Sequence, residues 1–163
     1  MESEVRELLI EELKDAYSAE RQALRCMQKV LRKASSPVLR DGIQLHIEQT
    51  QTQIERVEQA MERLDVKRGR KVCEAMRGLV EEAQHEIEEH EKGPVLDLVI
   101  VAGMQRIEHY EIAAYGTAKA FARRLGKQDA ARLLEQTLEE EKTTDHKLTQ
   151  LAESQVNQEA VTA

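Results

Sequence analysis

The stretch QRIEHYEIAAYG, residues 105–116, decides how the chain folds. In a helix turning about 100° per residue, Glu108, Glu111, Ile112 and Tyr115 share one narrow stripe. Isoleucine and tyrosine favour burial on such a stripe. Two carboxylates do not, because a charge taken out of water is costly without a partner. Either their heads reach water past buried stems, or they belong to an internal site.

The sequence on either side supplies the context. The pattern predicts a long helix over about 4–33, with an apolar stripe of Leu9, Leu13, Ala16, Tyr17, Leu24, Met27 and Leu31. Ser36 is placed to cap a second helix and Pro37 suits its first turn. That helix runs to about Leu64 on Leu39, Ile43, Ile54, Val57, Met61 and Leu64, and Asp65–Gly69 ends it. A shorter, very acidic helix is expected over about 72–91, stopped by Gly93-Pro94. The fourth helix covers about 95–125 and ends at Gly126, and the fifth covers about 128–153. Two tight connections separated by one long crossover predict an all-α, ferritin-like four-helix bundle, with a short fifth helix in the crossover. The bundle is assigned to residues 1–153, and residues 154–163, SQVNQEAVTA, read as a flexible C-terminal tail.

Every long helix has its apolar stripe interrupted near the middle. The interruptions are Glu20; His46, Thr50 and Gln53, with Gln49 at the edge; Glu108 and Glu111; and Glu141 and Asp145. Glu20 and Thr50 each lie 15 residues from the turn at Ser35, and Glu111 and Glu141 each lie 15 residues from Gly126. Antiparallel neighbours folded about those turns bring equal offsets to one level. Five carboxylates in one dry layer would repel one another and resist ionisation, and two divalent cations would nearly cancel them. Oxygen-rich donors with one imidazole suit iron or manganese better than the thiolate-loving metals. The candidate metal ligands are therefore Glu20, His46, Glu108, Glu111, Glu141 and Asp145, with iron, mononuclear or dinuclear, as the expected cofactor and manganese as an alternative. His109 falls off the stripe and His146 further off. The one ExxH sequence, Glu82 to His85, sits in the acidic crossover helix and reads as solvated surface.

Composition narrows the classes further. The chain has 163 residues, 34% charged and only 2% aromatic, with a net charge of −7. Acids and bases are interspersed, and the short basic run Lys67–Lys71 reads as a loop, so nucleic acid is not an expected partner. Cys26 and Cys73 are isolated, which makes a reducing cytoplasm the expected location. The apolar run at 95–104 is broken by Asp97 and Gly103 and is too short for a membrane span.

The segments DAYSAE (15–20), QIERVEQ (53–59), IEHYEIAAYGTA (107–118) and TLEEEKTTDHKLTQLA (137–152) together resemble the bacterial YciE/YciF stress-protein family. The resemblance covers about 13–152. It implies a rubrerythrin-related bundle, a dinuclear metal site and a homodimer. It also places Glu20, Glu108, Glu111, Glu141 and Asp145 at the family's acidic positions and His46 at its histidine. Gln49 stands where relatives tend to carry glutamate, which weakens the case for full two-metal occupancy. Leu8, Ile10, Val30 and Ile47 lie off the main stripes and are the apolar positions expected to serve a dimer face. If the metal is catalytic, the expected chemistry is Fe(II) oxidation by oxygen or peroxide. The alternatives are a non-enzymatic stress protein and a partner-binding scaffold using the acidic crossover helix.

Overall fold

A computed structural model describes residues 1–156 and 161. It contains α1 (Glu2–Val30), α2 (Pro37–Arg63), α3 (Glu74–Glu88), α4 (Pro94–Arg124) and α5 (Gln128–Leu151), followed by a π-helical segment, Ala152–Val156. No strand occurs among the described residues. Of the segment read as a tail, 157–160 and 162–163 lie outside the described residues. None of the helices is long and apolar enough to cross a membrane among the described residues.

The four long helices form a closed ring in which α1 packs on α2, α2 on α5, α5 on α4, and α4 on α1. The directions follow from contacts at the two ends. Arg6 Nη2 at the start of α1 donates to the Leu64 carbonyl beyond α2, at 3.1 Å. Asp97 in the first turn of α4 reaches the turn between α1 and α2. So α2 and α4 run parallel to each other and antiparallel to α1 and α5. The passage from α2 to α4 must return the length of the bundle, and α3 travels with it, packed on α1 and α4. This is the one-crossover arrangement of ferritin-like bundles.

The local signals account for the helix ends. Ser36 Oγ accepts from Leu39 N at 3.4 Å, and Pro37 follows at the first helical position. Gly126 takes φ +69°, the left-handed conformation that lets the chain leave α4 at low steric cost. The α1–α2 turn has a second anchor that its own sequence does not show. The Asp97 carboxylate accepts from Ser35 N at 2.8 Å and Ser36 N at 2.7 Å and is buried. The acid that breaks the apolar run at 95–104 thus ties the first turn to the start of α4.

The crossover helix departs from expectation. It is shorter than the predicted 72–91 and is not solvated on every face. Met76, Ala83 and Ile87 form a buried strip against α1 and α4. Cys73 caps it, its Sγ accepting from Met76 N at 3.4 Å and lying 2.9 Å from Tyr110 Oη. A side chain at Gly103 of α4 would stand 3.1 Å from Ala83 Cβ, so glycine there is what allows α3 to lie close. Glu82 and His85 are exposed, as read.

Two large apolar cores result, with a smaller third cluster of Ala19, Ala23, Cys73, Met76 and Ile107 under α3. One contains Leu9, Leu13, Val57, Met61, Leu134 and Leu138, and the other Met27, Val30, Leu39, Ile43, Ile100 and Leu148. Val30 and Ile47, expected on a dimer face, are buried in the second core, whereas Leu8 is 52% exposed. Replacing Asp97 with Ala leaves two backbone N–H groups without an acceptor. A loss of about 2–4 kcal/mol is expected, read as a lower urea midpoint at unchanged slope. Asp97→Asn, which keeps one acceptor oxygen, should lose less; equal midpoints for the parent and Asp97→Ala would remove the anchor from the account.

Candidate metal centre

Between the two cores lies a polar layer. Glu20 from α1, His46, Thr50 and Gln53 from α2, Glu108 and Glu111 from α4, and Glu141 from α5 are all at most 3% exposed. Equal offsets from the two tight turns bring Glu20, Thr50, Glu111 and Glu141 to one height, because antiparallel helices rise at the same rate on either side of a turn, and His46, Gln53 and Glu108 lie about one helical turn from it.

The contacts within the layer are short and specific. His46 Nε2 meets Glu108 Oε1 at 2.6 Å, and Tyr115 Oη donates to Glu20 Oε1 at 2.6 Å. Gln53 Nε2 donates to Glu141 Oε1 and, at 3.1 Å, to Glu140 Oε2. Donor atoms of His46, Glu108 and Glu141 lie within 4.8 Å of one another, close enough to share one ion. Among the described residues, seven buried side-chain atoms have no hydrogen-bond partner: Glu20 Oε2, His46 Nδ1, Thr50 Oγ1, Gln53 Oε1, Glu108 Oε2, Glu111 Oε1 and Glu141 Oε2. Unpartnered polar atoms are scarce in folded interiors. Four of these are carboxylate oxygens, one from each of Glu20, Glu108, Glu111 and Glu141, so the donor set fits a hard or borderline cation.

Asp145 stands apart. It is half-buried, and its Oδ1 lies 3.1 Å from His109 Nε2 and 3.4 Å from Gln105 Nε2. His109 is thus the partner of a candidate ligand, although the sequence pattern marks it only as structural. Gln49 is half-buried at the edge, and His146 is exposed. The pattern gives no warning of the pair behind Glu141. Arg56 grips Glu140 with both guanidinium nitrogens at 2.7 Å, and Gln53 bridges Glu140 and Glu141. The spacing of Gln53 and Arg56 on one face of α2, opposite the run Glu139–Glu141, is the signal that could have revealed it.

The electrostatics follow from burial and crowding. Burial, reinforced by Glu141, lifts the Glu20 carboxyl to about 8 despite the Tyr115 hydrogen bond. Burial also holds Glu108 and Glu111 well above the usual carboxyl range, the latter with Glu20 and Glu141 adding to the effect. Glu141 goes the other way. Burial would raise it, but hydrogen bonds from Glu111, Glu108 and Gln53 and the His46 charge hold it below its ordinary value. Burial disfavours a charged His46, yet the adjoining Glu108 outweighs this and carries the imidazole up to about 10. Without a cation the layer is neutralised by protons gathered around one ionised carboxylate.

These shifts fix the pH dependence of the metal-free protein. Glu20 is raised from 4.5 to about 8, so its contribution is complete below 4.5 and is lost as pH rises towards 8. His46 is raised from 6.5 to about 10, so its contribution is complete below 6.5 and is lost towards 10. The depressed Glu141 acts in the opposite sense, but only below its ordinary value of 4.5. Urea midpoints measured in chelator at pH 5, 7 and 9 should therefore fall steadily. A flat or rising series contradicts the proton-neutralised layer.

Comparison with known proteins places the chain among relatives. A family described as a domain of unknown function, DUF892, matches residues 4–161. Protein YciF of Escherichia coli strain K12 is 46% identical over 157 residues, covering 96% of this chain and 95% of YciF. The crystal structure of that E. coli stress protein superposes with a TM-score of 0.89, covering 94% of this chain and 97% of that one. YcfI from Rhodopseudomonas palustris is 41% identical with a TM-score of 0.86, covering 89% and 92% of the two chains. A protein from Xanthomonas campestris is 26% identical with a TM-score of 0.76, covering 92% of each. The resemblance read from the sequence is borne out, and since the family match spans residues 4–161, the chain belongs to the DUF892 family.

Proposed function

We propose that the protein is a stress-associated member of its family that binds iron, as one or two ions, among Glu20, His46, Glu108, Glu111 and Glu141. The observation that carries this reading is the set of unpartnered carboxylate oxygens buried at one level of the bundle. The association with stress rests on the likeness to YciF, described as a stress protein.

The chain's own residues divide the work. His46, Glu108 and Glu141 offer the converging donors, and Glu20 and Glu111 add oxygen donors in the same layer. Gln53 and the Arg56–Glu140 pair orient Glu141. Tyr115 fixes one oxygen of Glu20 and leaves the other free. Loading a cation requires these groups to release their protons, so uptake should strengthen as pH rises. Bound iron would supply one-electron chemistry, consistent with Fe(II) oxidation by oxygen or peroxide. The two cores above and below the layer would exclude bulk water. Asp145, held by His109, is proposed as a nearby acid rather than a member of the converging set.

A second reading has its own support. The R. palustris relative is described as a candidate structural protein, and hydrogen bonds already join α1 to α4, α2 to α4 and α2 to α5 across the layer. In that reading the polar layer only fixes helix register.

Glu108→Gln separates the two. It mimics the protonated acid, so at pH 7 the metal-free protein should gain stability, read as a higher urea midpoint. It also removes a donor, so the stabilisation by Fe(II) or Mn(II), roughly 2.7 kcal/mol at a hundredfold excess over Kd, should largely vanish. If neither metal raises the parent's melting temperature, the iron reading fails. If both do, equal Fe(II) oxidation rates in the parent and in Glu141→Ala would leave binding without redox activity.

A further inference from the structure

A groove beside the buried layer has no part in metal binding. It has a volume of about 310 Å³ and opens between α2 and α5, and its lining includes His46 of the buried layer. Leu148 and Leu151 of α5 and Val38 and Leu45 of α2 line it. Val38 is 50% and Leu45 46% exposed, two large aliphatic residues two turns apart on one helix face. The volume lies at the lower end of the range for small-molecule pockets, which are mainly apolar with a few polar groups.

The charge on the lining points to the kind of occupant. The protein carries 31 acidic residues and a net charge of −7, yet none of the groove's lining residues is an acid. Its one lysine, Lys147, is exposed and has no carboxylate partner among the described residues. At the other extreme His46 is 3% exposed, with Nε2 committed to Glu108 and Nδ1 unpartnered. An apolar trough with an unpaired cation at its solvent side suits a molecule with an anionic head and an apolar body.

We propose that this groove binds a small amphipathic monoanion, an aliphatic carboxylate, with its head at Lys147 and its apolar body along Val38, Leu45, Leu148 and Leu151. The site does not depend on iron, and binding is to be expected in the metal-free protein. A ligand so placed would abut the edge of the polar layer and control which molecules reach it from this side.

Decanoate is a suitable probe and decanol its uncharged counterpart. Gly42 also lines the groove, and a Cβ there meets nothing within 4 Å, so Gly42→Phe adds bulk at the groove from an unobstructed position. Calorimetric titration of the metal-free protein should give saturable one-to-one binding of decanoate. Gly42→Phe should weaken it at least tenfold. Lys147→Glu should weaken decanoate severalfold but leave decanol unchanged. The His46 ring resonances should shift on titration in the parent and not in Gly42→Phe. Absent binding, or binding insensitive to both substitutions, overturns the proposal. So does a sedimentation mass of twice the monomer that Gly42→Phe returns to one, because a second copy would then cover the groove. Loss of metal binding with decanoate binding intact would sink the iron reading and leave this one standing.

Discussion

Withdrawing four glutamates and a histidine from water at one level of the bundle is the constraint on which the remaining structure depends. A single buried carboxylate can be tolerated by shifting its pKa. Several together must be neutralised jointly, by protons or by cations, and held where neutralisation works. The layer meets that demand from all four long helices. No pair of helices could form it alone, so the ring α1–α2–α5–α4 is as much a condition of the layer as of the apolar cores.

The cores and turns serve this arrangement. Apolar clusters on either side keep the layer dry, and the turns at Ser36 and Gly126 set the register of each antiparallel pair. Asp97 then locks the first pair to the second, carrying register from α1 and α2 to α4 through two hydrogen bonds. A slip of one helix by a single residue would rotate its polar group by about 100° and out of the layer. The long crossover permits the parallel placement of α2 and α4, which brings His46 and Glu108 into contact at 2.6 Å.

The same economy of charge explains the surroundings. Glu140 lies at the boundary of the layer, and the full charge of Arg56 is matched to it outside. Inside, where cationic side chains are absent apart from His46, amide and phenol donors serve instead: Gln53 on Glu141 and Tyr115 on Glu20. Neutral donors orient a carboxylate without cancelling its charge, which leaves that charge available to a cation. The groove beside His46 has a largely apolar wall, and none of its lining residues is an acid.

Much of this was legible in the sequence, for a physical reason. Helical periodicity, Pro37 after Ser36, glycine at 126 and the lengths between them are local, and they carried the helices, the crossover and the shared height of Glu20, His46, Glu108, Glu111 and Glu141. Periodicity reports which face a residue occupies, but not what it meets there. Asp97 read as an interruption of an apolar run because its partners, Ser35 and Ser36, are more than sixty residues away. The crossover helix read as solvated because its narrow strip of Met76, Ala83 and Ile87 is outnumbered by acids, and only packing against Gly103 reveals it. Asp145 shares α5 with Glu141, one turn further on. The rotation of that helix against α4 turns it to His109 and Gln105 instead of the converging donors. Face and height are properties of one helix and could be read from its residues; the choice of partner belongs to two helices at once and was decided by the tertiary structure.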